Sequence, residues 1–315
     1  MTPPSPPRVA FVVAAFNAQS TLESAVASAL AQDDPRIEVV IVDDGSADGT
    51  RAVAERIAAG DGRVAVLARR NGGPGAARNA GAAAARAPYL CFLDADDLVP
   101  PGKARAQAGL LDSRPGASVA YSACDSSFEG DPGRLEPFPL ETDPRALAES
   151  LLAGADGAFP LHAALVRRGA FEAVGGFREI RPLVEDLDLW TRMAAGGAEF
   201  AFEAEPRVLY RRRASSRSTE GLQVLEGHLP VLEWLHDRLP PDPPEPREAV
   251  RRKARYRAVA LAGLLARAGR PGRGRRLILR SLRLARRPGE FLEALRLLAR
   301  PAAAGNPAPA PPRAG

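Results

Sequence analysis

Ile37-Glu38-Val39-Val40-Ile41-Val42-Asp43-Asp44-Gly45-Ser46 is the stretch that decides the class of this fold. From Val39 to Val42 the run is aliphatic without alternation, and it stops abruptly at two acids and a glycine. A strand that is apolar on both faces must be covered on both, which argues for a parallel sheet between helices. Working outward, Val9 to Ala14 repeats the strand signal. It is followed by Ser20-Thr21-Leu22-Glu23, with capping-box spacing, and an Ala/Val/Leu pattern to Ala31. Asp48-Gly49-Thr50 opens a helix to Ala59, and Val64 to Leu67 is a third strand. Gly75 to Ala85 reads as helix, Tyr89 to Leu93 as strand, Pro101 to Leu111 as helix and Ser118 to Ser122 as strand. Strand and helix therefore alternate five times, and the expected class is α/β with a Rossmann-like, mostly parallel sheet flanked by helices.

Beyond Cys124 the pattern loosens into a Gly/Pro/Asp-rich segment to about Pro144. Helix, strand (Phe159 to Val166), helix and a further helix from Glu185 to Ala195 then form a mixed α+β half. The expected organisation is a first half over 8–122 and a mixed second half over 123–239. A stiff proline-rich linker over 240–246 and a basic helical extension over 247–300 follow. Residues 1–7 and 301–315 are rich in Pro and read as disordered.

The chain has 315 residues and two cysteines, Cys91 and Cys124, which excludes a disulfide scaffold and fits a reducing, cytoplasmic compartment. The first apolar run is too short and too proline-led for a signal peptide, and Ala258 to Ala266 falls far short of the roughly 20 residues of a membrane span. The net charge of +5 hides an asymmetry: residues 247–300 carry 17 Arg or Lys against 3 Glu, and the remainder is acidic at −9. Leucines recur at three- and four-residue spacing between arginines from Leu277 to Leu298, which suits either a helix at an anionic membrane interface or a packed helical hairpin with a solvated basic face. Nucleic acid is not expected as a partner, since no aromatic interleaving or reader motif accompanies the arginines.

In open parallel sheets ligands bind beyond the carboxyl ends of the strands. Those ends here carry Asn17, then Asp43-Asp44-Gly45-Ser46, then Gly72-Gly73-Pro74-Gly75-Ala76-Ala77-Arg78, then Asp94-Ala95-Asp96-Asp97. Acids suit a hard cation such as Mg2+ or Mn2+, and glycines let backbone approach a phosphate, so the set suits a nucleotide with a metal. Asp44 to Glu55 also has EF-hand spacing, but the strand before it is the wrong context. For Arg78, a phosphate partner and a surface position both stay open from this segment alone. Glu185-Asp186-Leu187-Asp188 reads as a general base at a helix start or as simple capping acids. His162, His228 and His236 share no ligand spacing and read as structural or exposed.

Taken in order, Val9 to Asn17, Val42 to Thr50, Gly75-Ala76-Ala77-Arg78-Asn79, Phe92 to Asp97, and Gly175-Gly176-Phe177 with Glu185 to Trp190 resemble the family 2 glycosyltransferases over roughly residues 8–218. The resemblance implies a GT-A fold, an inverting mechanism, a nucleotide-sugar donor, a carbohydrate or lipid-linked acceptor, and Mn2+ or Mg2+. It implies that Asp44 contacts the base with Asp43 nearby, that Asp94 and Asp96 form the metal and diphosphate site, and that Asp186 is the catalytic base. Asn17 and Arg78 belong to the donor side. Two departures stand out. Ala14-Ala15 occupies the end of the first strand where Thr or Pro is common, and Arg213 stands where the family's Tyr-Arg-x-His segment has His, so either Arg213 pairs with the diphosphate directly or metal affinity is reduced. The alternative class is a nucleotide-sugar-binding protein with a decayed site. Location at the inner face of the membrane, held peripherally by the basic extension, is the corresponding expectation.

Overall fold

The computed structural model describes residues 6–34, 36–128, 131–155, 158–178, 184–212, 221–242 and 244–281. The chain divides into two compact units, Met1–Thr219 and Glu220–Gly315.

In the first unit β1 (Val9–Ala15), β2 (Ile37–Asp43), β3 (Val64–Ala68) and β4 (Tyr89–Asp94) are parallel neighbours in the order β3-β2-β1-β4. The connecting helices are α1 (Leu22–Leu30), α2 (Thr50–Gly60) and α3 (Pro74–Ala84), and α4 (Lys103–Ser113) follows β4. Chain order reverses between β1 and β4, and a crevice opens at such a switch point. Register fixes what lines it: Ala15 lies opposite Asp43, and Ala14 opposite Asp94. The buried run read from the sequence is covered on both faces. Phe11, Val13, Val39 and Ile41 pack with Leu22, Val26 and Leu111 on one side. On the other, α3 comes so close that a Cβ on Gly81 would stand 2.4 Å from Val12 Cγ1. Burying each large aliphatic side chain contributes about 1.5–3 kcal/mol.

The sheet continues beyond β4 as β7 (Ala164–Arg167), β5 (Ala117–Phe128) and β6 (Asp131–Pro137), with β8 (Glu199–Arg212) parallel beside β5. The expectation of a fifth consecutive parallel strand needs amending, because β7 inserts antiparallel between β4 and β5. The strand expected from Phe159 starts later, since Leu161–Ala163 form one turn of 3-10 helix. β6 and β8 were not legible: Asp131-Pro132-Gly133 and Glu203-Ala204-Glu205-Pro206 have turn composition, and pairing with β5 alone makes them strands. Asp143 caps α5 (Pro144–Leu152) by accepting from the backbone N–H of Arg145 and Ala146. The capping box at Ser20 to Glu23 does not form; the Thr21 hydroxyl donates to Ala18 O, and Glu23 is taken by Arg56 of α2. α6 (Arg168–Ala173) and α7 (Glu185–Ala195) complete the unit's described helices.

The second unit contains α8 (Gly221–Arg238), α9 (Pro244–Arg267) and α10 (Pro271–Ser281). Leu229 of α8 packs with Ala258, Leu261 and Leu265 of α9, and Leu277 of α10 joins them. Arg273 and Arg280 donate to Glu226 and Glu233, one helical heptad apart on each element. The division differs from the sequence reading in two ways. α8 belongs with the C-terminal helices, and α9 begins inside the proline-rich stretch, because proline is well tolerated in a helix's first turn. The leucine face of the basic segment turns inward at Leu277 and Ile278; residues 282–300 lie outside the described residues. Among the described residues no helix is long and apolar enough to cross a membrane.

Candidate active site

Three loops meet above the ends of β1, β2 and β3. Asn17 ends the first, in the left-handed region at φ 50. Its backbone N–H donates to Ser46 Oγ at 3.0 Å, and its side-chain oxygen accepts from the Ala47 N–H at 2.9 Å. Asp43 is buried and closes the same turn by accepting from the Ser46 N–H at 3.1 Å. Asp44, also buried, reaches the loop after β3, accepting from Gly73 N–H at 2.7 Å and Gly72 N–H at 3.1 Å, with Arg69 Nε at 3.4 Å. Gly45, at φ 78, has no room for a side chain, since a Cβ would stand 2.9 Å from Asn71 N. One wall of the crevice is thus a set of turns pinned by carboxylates.

Asp94 ends β4, and the Asp97 N–H donates back to Asp94 O at 3.0 Å, so the acids at 94, 96 and 97 lie on one tight turn. Asp94 and Asp96 are half-buried, whereas Asp97 is buried. Arg78 of α3 donates to Asp94 Oδ1 at 2.5 Å and to Glu185 Oε1 at 2.8 Å, with its guanidinium 5.5 Å from the Phe177 ring centre. Its side chain is only 4% exposed, so it is not a surface arginine: it joins two acids. Burial opposes its charge, but the two carboxylates outweigh burial and push its pKa up.

Glu185 and Asp186 form the first turn of α7, where the helix dipole favours negative charge. Asp186 is pushed up to about 6, chiefly by burial and then by the neighbouring Glu185 charge; the Leu187 N–H and Arg78 pull the other way. Asp188 faces the interior. It is fully buried and binds Arg178 and Arg192, while Arg192 holds Val174 O and Gly176 O at 2.6 Å each. That network fastens the Gly175-Gly176-Phe177 turn to α7, and Asn79 adds to it by donating to Phe177 O and accepting from its N–H.

The structure therefore brings Asn17, Asp43, Asp44, Arg78, Asp94, Asp96 and Asp186 to one end of the sheet. Arg213 lies outside the described residues. Glu185 as the second partner of Arg78 was missed, although its place beside Asp186 was the available signal. His162, read as structural or exposed, is buried with Nδ1 3.2 Å from Asp97 Oδ2 and Nε2 3.1 Å from Leu209 O. No spacing in the sequence pointed to it. Among the described residues no group of three or more His, Cys, Asp or Glu is placed to hold a metal ion by itself. The carboxylates at Asp94 and Asp96 fit a hard cation all the same, because Mg2+ and Mn2+ take one or two carboxylates and fill their shells with substrate phosphate and water.

The model of glycosyl transferase family 2 matches residues 10–175, which covers all four parallel strands and the acid turn. The chain belongs to that family. Among curated relatives of this family 2 chain, the succinoglycan biosynthesis protein ExoO of Rhizobium meliloti (strain 1021) is 36% identical over 230 residues, 69% of the chain. ExoU of the same organism is 34% identical over 212 residues, 64% of the chain. The chain spans 65% and 60% of the lengths of these two relatives. Among solved structures, S. aureus TarS 1-349 in complex with UDP-GlcNAc matches with TM-score 0.64 at 16% identity, covering 92% of this chain and 89% of that one. The mannosyltransferase PcManGT from Pyrobaculum calidifontis, in complex with GDP-Man and Mn2+, matches with TM-score 0.59 at 19% identity over 93% and 80%. The shared fold is GT-A.

Proposed function

We propose that the protein transfers a sugar, with inversion, from a nucleotide-diphosphate sugar to an acceptor hydroxyl, using Mn2+ or Mg2+. The observation that carries this reading is that the end of β4 and the head of α7 face one crevice, linked by Arg78 between Asp94 and Glu185. Asp94 and Asp96 would hold the cation and the diphosphate, and the bound ion supplies charge neutralisation for the departing nucleoside diphosphate. Asp186 takes the proton of the acceptor hydroxyl as its oxygen bonds to the anomeric carbon, and the bond from that carbon to the diphosphate breaks on the opposite face. A base at about 6 is ionised at neutral pH yet retains proton affinity. One base on one face and one leaving group on the other require no carboxylate nucleophile, which supports inversion.

Asn17, Asp43 and Asp44 lie at the nucleoside end. A carboxylate accepts about four hydrogen bonds, so a base contact by Asp44 adds to its bonds with the Gly72–Gly73 loop. ExoO and ExoU are succinoglycan biosynthesis proteins, which supports polysaccharide or glycoconjugate synthesis and a carbohydrate or lipid-linked acceptor. The test is a thermal-shift panel of UDP- and GDP-sugars with and without Mn2+, followed by donor hydrolysis and transfer assays. A donor should raise the melting temperature only with metal, and Asp96→Ala should lose that dependence while keeping its fold. Full turnover in excess EDTA overturns the metal requirement. Donor binding with neither hydrolysis nor transfer favours a binding protein with a decayed site.

A further inference from the structure

We infer that Phe177 is a positioning residue for the reaction, its ring seating the Arg78 guanidinium so that Arg78 reaches Asp94 and Glu185 together, while Asn79 clamps the Phe177 backbone; the inference rests on the reading above. Arg78 Nη1 donates to Glu185 Oε1 at 2.8 Å and Nη2 to Asp94 Oδ1 at 2.5 Å. Its Nε is buried and has no hydrogen-bond partner among the described residues. Two bonds to acids on separate elements fix both ends of a guanidinium but leave its plane free to rock about the line between them. The Phe177 ring removes that freedom. Arg78 Cζ lies over it, 5.5 Å from the ring centre, and a desolvated guanidinium is attracted to an aromatic face by the ring quadrupole.

The ring is itself a fixed surface. Phe177 is buried, Phe92 meets it edge-on at 4.9 Å between centres, and Phe171 of α6 meets it at 5.5 Å. Phe92 belongs to β4, two residues before Asp94. The backbone of Phe177 is held as firmly: Asn79 Nδ2 donates to its carbonyl at 2.8 Å, and Asn79 Oδ1 accepts from its N–H at 2.9 Å. That approach requires a glycine before Phe177, because a Cβ on Gly176, at φ 64, would stand 2.6 Å from Asn79 Oδ1. From the other side, Arg192 of α7 donates to Gly176 O. Adjacent residues of α3 thus grip one residue twice, Arg78 by its ring and Asn79 by its backbone. The grip matters to chemistry because a misplacement of about 1 Å at reacting groups can cost about 10²-fold in rate.

The experiment replaces Phe177 by Leu, and separately by mono- and difluorinated phenylalanine, which keep the ring's shape while weakening its face. Asn79→Ala releases the backbone clamp. Hydrolysis of a panel of UDP-, GDP- and dTDP-sugars with Mn2+ is measured well below each variant's melting temperature. Phe177→Leu and Asn79→Ala should each lower kcat by at least about tenfold, and the fluorinated rings should lower it stepwise with fluorine number. The fluorine steps should vanish when Arg78→Met removes the cation. Wild-type kcat in Phe177→Leu, or fluorine steps of equal size with and without Arg78, overturns the inference. Fluorine steps in melting temperature with none in kcat make Phe177 a purely structural contact and overturn it too. A wild-type protein that hydrolyses no donor of the panel overturns the glycosyltransferase reading itself, and this inference with it.

Discussion

Asp94 Oδ1 and Arg78 Nη2 stand 2.5 Å apart, so the acid that ends β4 is held from α3, by a guanidinium whose other arm reaches the head of α7. On the proposed mechanism, Arg78 thereby adjusts both ends of the reaction centre. Its charge lowers the pKa of Asp186, against the upward push of burial and Glu185. Arg78→Met should move the acidic limb of the kcat profile to higher pH, and Arg78→Lys, which keeps the charge, should move it less. The Met variant should also lose on the order of 3 kcal/mol of stability, because it strands Glu185 without its partner. A kcat profile in Arg78→Met that coincides with wild type refutes the electrostatic part.

On the proposed mechanism, Asp186 works as a base only when ionised. With its pKa near 6, kcat should fall about tenfold per pH unit below that value and level off above it. Asp186→Asn should remove the limb and lower kcat at least about 10²-fold with donor affinity retained. The same upward shift has a stability consequence. The folded pKa exceeds the unfolded one, so the contribution is full below the ordinary carboxylate range and is lost as pH rises through about 6. Urea denaturation should therefore find Asp186→Asn gaining stability over wild type at pH 8 relative to pH 4.5.

Asp188, two residues further along α7, has a purely structural part. It is fully buried and compensates Arg178 and Arg192. Removing it leaves two cations without their carboxylate, and Asp188→Ala should cost about 3–5 kcal/mol in urea denaturation. A cost under about 1 kcal/mol would mean that the Gly175–Arg178 turn is held by other means.

The basic extension makes a prediction that the helical packing has sharpened. Arg273 and Arg280 are paired to α8, and Leu277 and Ile278 are turned in. Any membrane attraction through this extension then falls to the exposed Arg252, Arg267, Arg270, Arg275 and Arg276 and to the arginines beyond Ser281, each contributing on the order of 1 kcal/mol near an anionic surface. Cosedimentation with anionic vesicles at low salt should capture the full chain and release it at high salt, and truncation after Ser281 should weaken capture without affecting donor hydrolysis. Equal capture by neutral vesicles, or none by either, leaves the extension as a packed helical element. Truncation after Pro246, by contrast, would remove α10 and nearly all of α9 and expose the Leu229 side of α8.

Local chemistry made the first half of this protein legible from its residues alone. Val39 to Val42 could only be a strand covered on both faces, and Asp43, Asp44, Asp94 and Asp96 follow strands whose parallel order puts their ends together. The head of α7 announced itself by acids in a first turn. What the sequence could not carry was anything decided by long-range pairing. β6 opens on the turn-like Asp131-Pro132-Gly133, β8 is interrupted by the turn-like Glu203-Ala204-Glu205-Pro206, and pairing with β5 carries both through as strands. β7 enters between β4 and β5 although it comes later in the chain. Arg78 is a bridge between acids because α3 and α7 converge across 107 residues of sequence. His162 meets Asp97 and Leu209 through contacts that no spacing encodes. Backbone propensity and hydrophobic period act over a few residues, whereas the partner of a buried charge is chosen by which strands end side by side, and that choice belongs to the tertiary structure.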